Sequence, residues 1–397
     1  MIEIELSVLD YAADAAAKLQ PLLVQFEREQ HIHVNLIPIP WQQGWNEVAN
    51  MAIYRHGADV SEVGTTWVSS LASMRALKSF SKRDLDALGG AEAFFNPIWQ
   101  TGILRGDAQK QVWAIPWHAY PIVLYYYREQ LEKAGIRDAQ ASFRDSKTVA
   151  QTLKKMRDAG IPHPYGMVTA GFKPAILQDA ATWVWSSGGD FLSPDGTRTS
   201  FTQPEVLAGL RDYFSLSPFT YLPPDPAQTV ADSFMADQNA VVQNGPWLGI
   251  VHRKEDARFA KRLGAVPMPG GGYVGGCSLV IWEHTHHAEA ARELLRFLSD
   301  QAIQAPALPH APNLPARKQA LMDLSVQDPF FLVYLDAMTK GRTFPATRLW
   351  GVVEARLGNV FAALWEDVRA NPSIDMDDCL HKRLDPLAEN LDLALNG

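Results

Sequence analysis

The stretch Trp113 to Ile136, WAIPWHAYPIVLYYYREQLEKAGI, constrains the architecture more than any other part of the chain. An apolar approach through Ala114 and Ile115 is interrupted at Pro116. Trp117, His118 and Tyr120 follow as an aromatic and polar cluster, and Ile122 to Tyr127 then has the composition of a buried strand. Such a segment leaves one folded unit and enters another, with Pro116 as a hinge position and Trp117, His118 and Tyr120 as the floor of a cleft. Tyr125 to Tyr127 is expected in the core of the second unit.

Length agrees with two units, because 397 residues exceed what one core usually serves. No apolar run approaches the ~20 residues of a membrane helix, so no membrane insertion is expected. A net charge of −8 without a block of Lys and Arg argues against nucleic acid. Cys277 and Cys379 have no CxxC or zinc-ligand spacing; they read as free thiols, and neither a structural metal nor a cofactor is expected. No charged and apolar leader is visible, so the chain is expected to be cytoplasmic or a mature form with a new Met1.

The chain opens with Ile2, Ile4, Leu6 and Val8 alternating with polar residues, continues through helical spacing at Leu19, Leu22, Leu23 and Phe26, and returns to a strand at His33 to Ile39. This strand, helix, strand unit predicts an α/β architecture with a largely parallel sheet. Trp41 and Gln42 lie just past the carboxyl end of the second strand, where open α/β sheets place ligands. Glu62 leads to Trp67 in the same way, ahead of a helix from Ser69 to Leu77.

Further on, Trp183 has core spacing, while Ser193-Pro194-Asp195-Gly196 predicts a hairpin turn and Thr202 with Glu205 a capping box. Leu222 to Pro226 reads as a surface loop. Asn244-Gly245-Pro246-Trp247 repeats the placement of Trp67, at a strand end that turns into a helix. The glycine-rich Gly270 to Gly276, which includes Tyr273 and Gly275, precedes a strand instead of opening a helix, so it is no dinucleotide fingerprint. Close backbone approach to a ligand and simple loop flexibility both fit it. His284, His286 and His287 read as a solvated helix entry with Thr285 as N-cap. Ala305 to Pro315, with four prolines, reads as a crossing, and Val353 to Val368 as a long amphipathic helix.

No nucleophile elbow, HExxH or other catalytic motif is present. Indole and phenol rings suit the C–H faces of sugars, whose hydroxyls need directional polar partners. Trp41, Trp67, Tyr120 and Trp247 can supply the faces, and Glu62, His118, Asn244 and Arg348 the hydrogen bonds.

Several segments are similar, in order, to one family: Asp59-Val60 ahead of Trp67; Ile115-Pro116 with Leu124-Tyr125-Tyr126-Tyr127-Arg128 and Leu131 to Ile136; Gly188-Gly189-Asp190-Phe191-Leu192; Gly245-Pro246-Trp247; Gly275-Gly276 before Leu279-Val280-Ile281; and Leu314-Pro315-Ala316-Arg317. Together they resemble the extracellular solute-binding proteins of ABC sugar importers, the maltose-binding-like group. The resemblance implies a type 2 periplasmic-binding fold with two discontinuous α/β lobes joined by three crossings, 1–114 with 267–308 and 115–266 with 309–397. It also implies a non-enzymatic, monomeric protein of the periplasm or cell surface. Such a protein holds a disaccharide or short oligosaccharide between its lobes and presents it by hinge closure to a membrane permease. Carried over by position, Trp67, His118, Tyr120, Trp247 and Gly275 to Cys277 face the ligand. The same fold holding an amine or peptide, and more distantly a glycosidase using acids such as Glu62 and Asp190, are the alternatives.

Overall fold

The computed structural model describes residues 2–11, 15–105, 107–223, 228–304, 311 and 313–395. The apolar runs form β1 (Ile2–Asp10), β2 (Ile32–Pro40), β3 (Val60–Gly64), β4 (Ile115–Pro121), β5 (Val123–Tyr127), β6 (Tyr165–Gly166), β7 (Val241–Asn244), β8 (Leu263–Pro267), β9 (Val274–Ile281) and β10 (Leu314–Pro315). The chain divides into two compact units. The first comprises Met1–Tyr120, Val274–Thr339 and Thr343–Gly351; the second comprises Pro121–Tyr273, Lys340–Arg342 and Val352–Gly397.

The first unit holds the sheet β10-β4-β9-β3-β1-β2. β1 pairs in parallel with β2, from Ile2 opposite Ile32 to Asp10 opposite Pro40, and with β3 on its other side. The connecting helix Gln20–Gln30 accommodates Pro21 in its first turn, where no N–H is missed, and buries Leu23 and Phe26. Phe26 meets Phe297 at 5.3 Å between ring centroids. Phe297 belongs to the helix Ala288–Leu298, which buries Ala291, Leu294, Leu295 and Leu298; each fully buried Leu or Phe stabilises by about 1.5–3 kcal/mol. The sheet is mixed, contrary to expectation, because β9 runs antiparallel to β3 and β10 antiparallel to β4. β9 enters from the second unit, so no crossover helix within the first imposes a parallel direction on it.

The passages between units differ from the sequence boundaries. The first falls between Tyr120 and Pro121, not at 115, because β4 stays in the sheet of the first unit with Ala119 opposite Leu314 and His118 opposite Pro315. Pro116 is therefore inside a strand and is not a hinge. The second falls between Tyr273 and Val274, not at 267, because β8 pairs with β5. The boundary expected at 308/309 lies outside the described residues, as does most of Ala305 to Pro315. The helices Lys318–Gln327 and Leu332–Lys340 follow β10, and residues up to Thr339 belong to the first unit. The last passage lies between Thr339 and Val352, with a short excursion at Lys340–Arg342. Residues 224–226 of the Leu222 to Pro226 loop are also outside the described residues.

The second unit is built on the sheet β6-β7-β5-β8. Tyr125, Tyr126 and Tyr127 are buried in β5, as their composition predicts. Tyr127 stacks on Phe234 at 4.2 Å and donates its hydroxyl to the Phe234 carbonyl at 2.7 Å. Trp183 is fully buried in the helix Lys173–Ser186. From the long helix Trp350–Ala370, Trp365 donates its Nε1–H to the Tyr213 hydroxyl at 3.1 Å. The hairpin closes with Leu192 bridged to Thr199. The capping box does not form: Pro204, which fits the first helical position, starts the helix with Gln203 as N-cap. Nor is Thr285 an N-cap; His287 precedes the helix Ala288–Leu298, and the Thr285 hydroxyl bonds Asp59.

Candidate functional site

Strands β3, β9 and β4 are consecutive neighbours in the first unit. Glu62 stands on β3, Cys277 on β9 and His118 on β4, and their ligand-type atoms lie within 4.8 Å of one another, all three residues buried. Gly276 permits this approach. Its φ is +143°, and a Cβ there would overlap the His118 carbonyl oxygen.

The Glu62 carboxylate gathers donors from three directions. His118 Nε2 is 2.6 Å from Oε1, the Tyr11 hydroxyl donates to Oε1 at 2.7 Å, and the Leu9 backbone N–H donates to Oε2 at 2.9 Å. The Asn313 amide nitrogen is 3.1 Å from His118 Nδ1. With that NH2 donating, the imidazole proton sits on Nε2 and points at Glu62. The Tyr11 hydroxyl also lies 3.1 Å from Cys277 Sγ. Burial first, then the neighbouring Cys277 and Glu62, push the Tyr11 phenol well above its usual range. Burial, then the charge of Glu62, does the same to the Cys277 thiol, which is held as a thiol.

A row of rings borders this cluster. Trp45 lies 5.8 Å from Trp67, Trp67 stacks on Trp41 at 6.1 Å with 24° between planes, and Trp41 meets Tyr11 at 5.2 Å. Leu9, Ile39 and Cys277 form the apolar bed under Tyr11, Trp41 and Trp67. Trp41 and Trp67 are half-buried and Trp45 is exposed, so ring surface is available to solvent beside a fixed polar group. The arrangement suits a ligand that combines apolar faces with hydroxyls.

Of the residues expected to bind, the structure brings Trp41, Glu62, Trp67, His118, Gly276 and Cys277 together. Tyr120, two residues from His118, shares its strand face, whereas Trp117 points to the opposite face and is fully buried. Gly275 is buried within β9. Gln42 and Arg348 are exposed on the first unit. Asn244, Trp247 and Tyr273 belong to the second unit. There Asn244 Oδ1 accepts from the Gly245 N–H at 2.7 Å, Trp247 packs edge-on to His252 at 5.6 Å, and Tyr273 stacks on Trp185 at 6.5 Å. The Arg342 guanidinium lies 5.0 Å from the centre of the Trp185 ring and pairs with Asp190 at 2.7 Å. Gly271 packs against the backbone of Lys340, where a Cβ would overlap the carbonyl oxygen. The glycine run thus meets protein backbone at that point.

Tyr11, Trp45 and Asn313 were not anticipated. Tyr11 was within reach, because it follows the carboxyl end of β1 as Trp41 follows that of β2.

A family model described as bacterial extracellular solute-binding protein matches residues 22–330. A relative from Deinococcus radiodurans, described as a probable ABC transporter-binding protein, is 22% identical over 369 residues, covering 86% of this chain and 84% of its own. The sugar-binding protein MalE of Xanthomonas citri superposes with a TM-score of 0.83 at 18% identity, covering 99% of this chain and 97% of that one. Maltose-bound MalE3 of T. maritima does so with a TM-score of 0.79 at 21% identity, covering 98% and 100%. The fold is therefore that of the two-lobed MalE-type periplasmic binding proteins. Among the described residues no helix is long and apolar enough to cross a membrane.

Proposed function

We propose, from the premise that this chain belongs to the bacterial extracellular solute-binding proteins, that it carries a disaccharide or short oligosaccharide to the permease of an ABC transporter by hinge closure. It does so as a non-enzymatic monomer of the periplasm or cell surface. The observation that carries this reading is the ring row Trp45, Trp67, Trp41 and Tyr11 beside the fixed polar cluster of Glu62 and His118. Rings of this kind cover the C–H faces of pyranoses. Trp247, Tyr273 and Asn244 of the second unit are further candidate contacts. The sugar named for the MalE of Xanthomonas citri and the maltose held by the MalE3 of T. maritima lend the reading support.

An amine or peptide ligand fits less well. It calls for an available carboxylate, and both oxygens of Glu62 already accept hydrogen bonds. X-ray scattering over a panel of sugars tests the proposal. Compaction with at least one di- or oligosaccharide is expected; an unchanged radius of gyration with every sugar, at concentrations where binding is saturated, contradicts closure.

A further inference from the structure

We infer that Glu62, His118 and Cys277 form a site for one divalent transition-metal ion, Zn2+ in the first place. One carboxylate, one imidazole and one thiol on three adjacent strands is a donor set that borderline ions prefer over Mg2+ or Ca2+. Their donor atoms already lie within 4.8 Å of one another. In a tetrahedral zinc site, with bonds of about 2.0–2.3 Å, donor atoms stand about 3–4 Å apart, so the cluster needs only small side-chain adjustments. Three protein ligands leave the fourth position, beside the Tyr11 hydroxyl, for a water.

The surroundings supply what such a site needs beyond its ligands. The Leu9 N–H holds the second oxygen of Glu62, and Asn313 holds the far nitrogen of His118. Loading releases one proton, from the Cys277 thiol. The imidazole proton moves from Nε2 to Nδ1, where the Asn313 amide accepts it through its oxygen after turning over. With Glu62 and Cys277 as anions, a divalent ion brings the buried charge to zero, which removes the main cost of burying it. Motif spacing gives no sign of this site, since Glu62 and His118 are 56 residues apart and Tyr11 and Cys277 are 266 apart.

Cobalt titration of the chelator-stripped full chain tests the inference without any sugar, so its failure and that of the sugar reading are separable. One equivalent of Co2+ is expected to produce a thiolate-to-cobalt charge-transfer band. The band is lost in Cys277→Ser and kept in Cys379→Ser, whose thiol lies in the second unit beside Asp367. Asn313→Ala is expected to weaken Zn2+ binding about 10–100-fold. X-ray absorption of the zinc-loaded wild type gives a reading that no variant's folding affects, with one sulfur neighbour expected at about 2.3 Å. No charge-transfer band in the wild type, a band that persists in Cys277→Ser, or coordination by nitrogen and oxygen alone overturns the assignment.

Discussion

His118 Nε2 lies 2.6 Å from Glu62 Oε1, with both side chains wholly buried. The two residues stand on β4 and β3, the strands that flank β9, so their contact spans β9 and ties three strands together at the end where Cys277 stands. The carboxylate is the common acceptor for His118, Tyr11 and the Leu9 N–H.

Removing that acceptor strands its donors inside the unit. Glu62→Ala is expected to destabilise the protein by about 1–3 kcal/mol for each buried donor left without an acceptor. Glu62→Gln keeps one acceptor oxygen and should cost less. Urea unfolding midpoints check the order, and an alanine variant as stable as the wild type contradicts it.

Gly276→Ala acts on backbone instead of on charge. The φ of +143° disfavours any side chain, and the added methyl meets the His118 carbonyl. A loss of at least about 1–3 kcal/mol is expected from the conformation alone. Thermal melts read it, and Gly275→Ala is the comparison, since Gly275 has no positive φ.

The second unit carries a pH signature of its own. Burial pushes the Asp179 carboxyl up to about 7, opposed by the Val168 N–H and by Gln243. An acid whose folded value exceeds its unfolded value of about 3.9 binds more protons in the folded state. Its contribution to stability is therefore complete below about pH 4 and is lost as the pH rises toward and through 7. Asp179→Asn should remove this slope, which reaches up to about 1.4 kcal/mol per pH unit. Unfolding at a series of pH values measures it, and identical slopes in the two proteins contradict the assignment.

The parts of the fold set by local pattern were legible in the sequence. The alternation at Ile2 to Val8, the helical spacing at Leu19 to Phe26 and the run Tyr125 to Tyr127 each lead to the observed element. Trp41 and Trp67 stand out in the sequence because they follow the carboxyl ends of strands, where open α/β sheets place ligands, and the structure sets them beside Tyr11 on the bed of Leu9, Ile39 and Cys277. What failed depends on pairing over long distances. Pro116 looks like a break until β10, nearly two hundred residues later, pairs alongside its strand. Trp117 and His118 are neighbours in the chain, but strand alternation sends them to opposite faces, and only pairing decides which face meets Glu62. The direction of β9 was hidden for the same reason.

The ring row leads to a prediction about affinity. Trp67→Ala and Trp41→Ala should each weaken sugar binding about tenfold or more, with 1.4 kcal/mol for each factor of ten. Trp67→Phe, which keeps an aromatic face, should lose less. Titration of each variant with the best sugar decides it, and unchanged affinity in both alanine variants removes the rings from the site.

Sugar binding is measured most directly by calorimetric titration of the wild-type chain with a panel of disaccharides and short oligosaccharides, maltose and its longer homologues included. Saturable one-to-one binding of at least one of them, weakened in Trp67→Ala, is expected. Absence of binding heat across the panel at several temperatures, with an amine or peptide binding instead, contradicts it.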